Sequence, residues 1–417
     1  MFTGFSNLAA NCIDVFDHGR AILVSDFIDD RVYLFRRTRT TCLGAPFATI
    51  DDADPVAAGR FGLVVEAADR LALVVGEVEN EARMFELQSN GAWSGVMDFD
   101  ITNPIHAVAL DREGWAFSNA SFGVNSVSVF KGFGILGTGI YGAGYGIVSG
   151  WGDSLALFGN DLFVGSPGFG NGHVHVFRHN GSNWTFSHEI ALPTFPAQVG
   201  GISPSFGFSI DCDGDTLLIG APGVDDFGPV IDRGAAYYYK RNPGTGEWTL
   251  AQEMLSGSLD AGQQFGYDVS VCGSSAVVGA PFTDNAPELE NGHASVHHLD
   301  PITGNWTAAT SIFGGDPSMH FGMSVDINDS SLAIGAPNST VGGLAQAGNL
   351  FVWERTAPDV WTFFTSAWGT EVGERVGESF ALNEDDLLLL GLPNTDVGPD
   401  PDAGLVYPIF LGDCPDC

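Results

Sequence analysis

Carboxylates crowd three segments of this chain. Gly223–Gly234 carries Asp225, Asp226 and Asp232; Phe282–Gly292 carries Asp284, Glu288 and Glu290; Asn394–Gly404 carries Asp396, Asp400 and Asp402. Anionic oxygens grouped in this way hold cations or accept hydrogen bonds from sugar hydroxyls. The competing reading is that long loops of an acidic protein are simply acidic and solvated. Two other segments are rich in histidine, one with His173, His175 and His179, the other with His293, His297 and His298. His173 and His175 are two residues apart and share one face of a strand, which permits chelation. No third ligand is evident beside them, and histidines packed in or on a sheet account for the pattern more simply.

Other chemistry is absent or illusory. Gly132-Phe133-Gly134-Ile135-Leu136-Gly137 spells a dinucleotide fingerprint, but it opens no helix, so a phosphate would find no helix N-terminus there. There is no Gly-x-Ser-x-Gly elbow, no P-loop and no His-Glu-x-x-His; His188-Glu189 lacks the second histidine. Carboxylate pairs are too common in this composition for an acid/base pair to stand out, and no catalytic residue is assigned. A site assembled from distant segments would leave no local motif. Asn183-Trp184-Thr185 and Asn305-Trp306-Thr307 match the glycosylation sequon, but both fall at a recurring Trp strand whose turn chemistry explains them.

The elements that position these groups are legible from composition and repetition. The chain has 417 residues, 51 acidic and 16 basic side chains, a formal net charge of −35, and 56 glycines and 31 phenylalanines. Its lysines are Lys131 and Lys240 alone. Such a chain repels phosphate backbones, which excludes nucleic acid as a partner, and it is equally unsuited to anionic membranes. Cations, metal ions and neutral polymers are favoured. No apolar run approaches the ~18 residues of a membrane span, and the opening residues MFTGFSNLAANC show no signal peptide, so a secreted protein would be a mature form or an excised piece. Six cysteines are too few to build a disulfide scaffold of this size.

One unit recurs along the chain. FGFSIDCDGDTLLIGAP (Phe206–Pro222), FGYDVSVCGSSAVVGAP (Phe265–Pro281) and FGMSVDINDSSLAIGAP (Phe321–Pro337) align without gaps. Trp151–Pro167 and Val376–Pro393 are further copies, and weaker ones begin at Asn11, Phe61 and Pro104. The starts at 11, 61, 104, 151, 206, 265, 321 and 376 give eight units, or seven if an early copy is not a full one. Each reads as four short strands: two flanking an Asp/Asn/Gly/Ser turn, a third rich in β-branched and aromatic residues, and a fourth opened by Trp93, Trp184, Trp248, Trp306 or Trp361. Pro after Gly-Ala stops the second strand. A four-stranded unit cannot bury both faces alone, whereas a closed ring of them can, which is a β-propeller.

The Phe-Gly … Gly-Ala-Pro signature resembles the FG-GAP repeat, the unit of the integrin α-subunit N-terminal propeller and of many bacterial extracellular proteins. The likeness is specific over residues 151–393 and degenerate before them. It implies adhesion or ligand recognition on the face where the loops between second and third strands emerge, and calcium-binding hairpins in some blades. The hairpin position here holds only the tight turn Asp211-Cys212-Asp213-Gly214-Asp215. Asp211, Asp213 and Asp215 are thus the candidate calcium ligands, although calcium takes six to eight oxygens and a turn this tight suits the hairpin itself.

The expectation is therefore an all-β protein: one propeller over residues 1–412, with a 413–417 tail ending Cys414-Pro415-Asp416-Cys417. Its last unit stops at the third strand, Leu405–Phe410, and the apolar Phe2–Phe5 segment is expected to supply the fourth and close the ring. The expected function is extracellular or cell-surface recognition of a glycan or protein, without catalysis, by a monomer or as part of a larger chain. An enzyme acting on extracellular polysaccharide and a spacer presenting a neighbouring domain are the alternatives.

Overall fold

The computed structural model describes the strands between residues 13 and 119 by their backbone, with side chains for part of 107–119. Beyond these it describes residues 126–131, 138–145, 150–193, 203–225, 231–258, 260–284, 290–382, 387–392 and 405–410. Five four-stranded antiparallel sheets lie between Ile105 and Trp368; two more precede them, and a three-stranded sheet follows. Within every sheet the strands pair in chain order. The unit opening at Phe206 is representative, with strands Ile210–Asp213, Thr216–Ala221, Ala235–Arg241 and Trp248–Met254. The second strands end at Ser166, Ala221, Ala280 and Ala336, each followed by a proline that can donate no ladder hydrogen bond. Among the described residues the helical content is one 3-10 turn, Gly142–Tyr145, and no helix is long and apolar enough to cross a membrane.

The first strands are neighbours in sequence order: Ile13–Phe16, Phe61–Ala68, Ile105–Asp111, Leu155–Phe158, Ile210–Asp213, Val269–Cys272, Ser324–Ile327 and Ser379–Leu382. The last of these also lies beside the first. Five of the third strands carry a register shift where they meet the fourth, between Met84 and Phe85, Val176 and Phe177, Tyr238 and Tyr239, Val296 and His297, and Val352 and Trp353. Bulges add twist to a sheet, and their recurrence at equivalent places gives these units a common twist.

The core lies between sheets. Phe163, Val174 and Val176 of one unit pack with Phe206, Leu217, Ile219, Tyr237 and Trp248 of the next. The Trp that opens a fourth strand reaches back into the preceding sheet: Trp248 meets Phe163 edge-on at 5.3 Å, and Trp306 meets Tyr238 at 5.9 Å. Beside that contact Asp161, fully buried, accepts from Arg178 Nε at 2.6 Å and Nη2 at 3.0 Å and from Trp248 Nε1 at 3.0 Å.

The repeat's glycines mark the closest approach between units. A Cβ on Gly220, in Gly-Ala-Pro, would overlap the carbonyl oxygen of Gly266, in the next Phe-Gly; Gly165, Gly279 and Gly335 stand in the same relation to Gly207, Gly322 and Gly377. The motif thus pairs the end of one unit with the start of another. Serines secure the joint, with Ser154, Ser209 and Ser324 donating to the carbonyls of Gly207, Gly266 and Gly377 at 2.7, 3.1 and 2.5 Å.

Candidate ligand-binding face

The carboxylates of the first strands are turned to backbone. Asp211 accepts from Cys212 N and, across the unit boundary, from Val271 N, both at 2.8 Å; Asp213 accepts from Gly273 N at 2.7 Å. Asp215 faces elsewhere, 3.9 Å from Arg241. The three candidate calcium ligands therefore have three separate sets of partners. Asp268 repeats the device, accepting from Val269 N at 3.0 Å and Val325 N at 2.8 Å, and Asp326 accepts from Ile327 N and Ser270 Oγ. Burial raises the carboxyls of Asp211 and Asp268, the latter to about 7, and the backbone donors only partly oppose it.

The loop carboxylates divide. Asp225 is buried and accepts from Asp232 N at 2.9 Å; Asp284 accepts from Glu290 N at 2.8 Å. In both loops one acid ties down the residue that re-enters the third strand, and that residue holds a left-handed φ, 50° at Asp232 and 52° at Glu290. Glu290 keeps its side chain 56% exposed, with Oε2 3.8 Å from His320 Nε2. Asp226, Glu288, Asp396, Asp400 and Asp402 lie outside the described residues, as does the Gly132–Gly137 segment.

Glu189 on the adjacent strand supplies the group that the sequence does not place beside the paired histidines. Its Oε1 is 2.7 Å from His173 Nδ1, and its Oε2 is 3.4 Å from His175 Nε2. His175 is buried against Trp151, and desolvation lowers its pKa to about 4. Among the described residues no group of three His, Cys, Asp or Glu is arranged to hold a metal. His293 is packed between Phe265 and Phe313, and His297 lies edge-on to Phe265; burial lowers both to about 4. These are packed histidines, as the simpler reading of the sequence expects.

A different constellation joins four successive units. Phe208, the third residue of its Phe-Gly-x, lies 5.0 Å from Tyr267, its counterpart in the next unit. Tyr267 is 5.9 Å from Phe282, and Phe282 is 4.8 Å from His320. Asn338 Nδ2 donates to His320 Nδ1 at 2.7 Å and its Oδ1 accepts from Arg375 Nη1 at 2.9 Å; Arg375 then forks onto Glu378 at 2.7 and 2.9 Å. The result is a continuous strip, aromatic at one end and polar at the other. Phe282 and Asn338 each follow a Gly-Ala-Pro proline, so the strip lies where the loops between second and third strands begin. Phe208 is 39% exposed, and Tyr267, Phe282, His320, Asn338 and Arg375 are half-buried.

The backbone beneath the strip is strained. Ser205, Gln264, His320 and Arg375, each immediately before a unit's opening residue, have φ of 53° to 55°. An L-residue in the left-handed region costs roughly 1–2 kcal/mol. At the equivalent place in the Trp151 unit the chain uses Gly150, with φ of 69°. Glycine is thus accommodated at this position, yet four units keep a side chain there, and in two of them that side chain belongs to the strip. Sequence reasoning missed the strip because its members fall at three different places in the repeat and share no residue type.

Comparison with known proteins agrees with this architecture. The FG-GAP repeat family model matches residues 197–239 and 248–297. The Dos1 propeller superposes with a TM-score of 0.55 at 10% identity over 93% of this chain and 90% of that one. Sqt1 of Saccharomyces cerevisiae gives 0.55 at 9% identity over 97% of each. No curated protein sequence matches. The chain has a β-propeller fold, and the FG-GAP repeat model matches the stretches that contribute Phe208, Tyr267 and Phe282.

Proposed function

We propose that this chain is a non-enzymatic recognition module, working outside the cell or at its surface, that binds a glycan or protein ligand on the face carrying the strip. The observation that carries this reading is the continuity of Phe208, Tyr267, Phe282, His320, Asn338, Arg375 and Glu378 across four units. Rings and fixed polar groups side by side provide both contact area and orientation. The extracellular setting follows from the proteins the repeat resembles.

The scaffold we infer is a single propeller of eight blades over residues 1–412. Its support is the cyclic adjacency of the eight first strands together with a final sheet of three strands. The Phe2–Phe5 segment, outside the described residues, is the proposed fourth strand.

Capture on an array of glycans and matrix proteins, run in parallel with calcium and with EDTA, tests the functional proposal. The strip predicts capture that survives EDTA and is lost in a Phe208→Ala/Tyr267→Ala variant. Capture lost in EDTA would move the site to the acidic loops. Silence under both conditions would overturn the proposal.

A further inference from the structure

We infer that the strip recognises a neutral, hydroxyl-rich glycan chain; this rests on the strip being a recognition surface at all. Charge and form both favour such a ligand. The strip's only cation, Arg375, is engaged by both oxygens of Glu378, at 2.7 and 2.9 Å. His320 accepts at Nδ1 from Asn338, and burial lowers its pKa, so it is neutral near pH 7. The residues of the strip itself therefore carry no net charge within a protein of −35, with the Glu290 carboxylate beside it, 3.8 Å from His320.

Each class of charged ligand meets an obstacle. An anionic ligand must approach against the field of the whole molecule and would find no unengaged cation in the strip. A cationic ligand is attracted over distance, but at the strip it must compete with Arg375 for Glu378, while Glu290 and Asp284 stand to one side. A neutral ligand meets neither obstacle.

The form agrees. Phe208, Tyr267 and Phe282 follow one another at 5.0 and 5.9 Å, giving apolar surface for the C–H faces of successive sugar rings. The amide of Asn338, the imidazole of His320 and the Arg375–Glu378 fork continue the strip, with donors and acceptors for hydroxyls. The left-handed backbone at His320 and Arg375 fixes two of these groups before any ligand arrives, which lowers the ordering cost of binding.

The test is affinity electrophoresis and calorimetry of the whole chain with soluble neutral polysaccharides (a β-glucan, a xylan and a galactomannan), with alginate and heparin as anionic counterparts. Basic proteins of the matrix serve as a separate arm, and every arm is run at low and high salt. The expected result is binding to at least one neutral polymer that changes less than about twofold between low and high salt. Phe208→Ala/Tyr267→Ala should weaken it at least tenfold without shifting Tm by more than a few degrees. Phe363→Ala, which removes an exposed ring of an outer strand, should leave it unchanged. Binding confined to a basic protein, steeply salt-dependent and still lost in the double variant, would overturn the glycan assignment and leave the strip a recognition site. Neutral-polymer binding unaffected by the double variant, or no binding in any arm, would overturn both.

Discussion

Asp268 offers the sharpest test of the inter-unit joints. In three other units its place is taken by Ser154, Ser209 and Ser324, each donating to a glycine carbonyl of the next unit. Asp268 instead accepts from Val269 N and Val325 N, and burial raises its pKa from 3.8 to about 7, with Asp326 and Asp211 adding repulsion. The folded chain therefore holds a proton that the unfolded chain releases. The stability linked to that proton is complete below 3.8 and is lost as pH rises through 7. At 1.36 kcal/mol per pH unit, the loss is at most about 4 kcal/mol by pH 8, of which about 3 falls between pH 4.5 and pH 8.

Asp268→Asn removes this titration. The amide replaces one accepting oxygen and leaves one backbone N–H without its partner, a pH-independent cost of about 1–3 kcal/mol. The variant should thus be less stable than the wild type at pH 4.5 and recover by about 3 kcal/mol at pH 8. An unfolding entropy of about 2.1 cal/mol/K per residue over this chain makes that a change of roughly 3–4 °C in the gap between the two melting temperatures. Scanning calorimetry of both proteins across the range reads it directly. A gap that stays constant with pH, or widens against the variant as pH rises, would refute the argument that the folded chain holds Asp268 protonated.

Four further expectations concern the scaffold. Asp161→Ala leaves the buried Trp248 N–H without its acceptor and Arg178 with only the carbonyls of Thr245 and Gly246, and should cost about 1–3 kcal/mol in denaturant unfolding; a loss under about 1 kcal/mol would mean the cluster is not a structural clamp. Gly220→Ala forces a methyl onto the Gly266 carbonyl and should cost at least about 1–3 kcal/mol, whereas a neutral result would show that the units can separate there freely. His293 and His297, lowered to about 4 by burial, stay neutral in the fold while the unfolded chain takes up protons below about 6.5. Stability should therefore fall as pH drops from 6.5 towards 4, and His293→Phe should flatten that fall; an unchanged slope would contradict the assignment. Deleting Met1–Ser6 should lower Tm sharply if that segment closes the ring, and a shift within error would retire the closure.

Much of the fold was open to reading because the repeat restates its own physics. Phe206, Phe265 and Phe321 fill equivalent core places, and Gly220 and Gly279 sit where a carbonyl leaves no room for a Cβ. The Trp that opens the fourth strand behaves alike at Trp248 and Trp306. The site was another matter. Asp225 and Asp284 look like ligands by composition, yet each is bonded to a backbone N–H a few residues on, and no residue type distinguishes an inward carboxylate from an outward one. Asp211 and Asp213 were legible as turn residues, but their bonds to Val271 and Gly273 depend on which unit lies alongside. The strip is harder still. Phe208, Tyr267 and Glu378 occupy one repeat position with unlike side chains, so no periodicity announces them and only the adjacency of units brings them together.

A ligand seated on the strip would protect the backbone that carries it. Hydrogen–deuterium exchange of the chain, alone and with the polymer or protein captured on the array, tests this most directly. Protection concentrated in the segments around Phe208, Tyr267, Phe282, His320, Asn338 and Arg375, with the outer strands unchanged, is the predicted result. Protection confined to the outer strands, or absent from every one of those six segments, would contradict it.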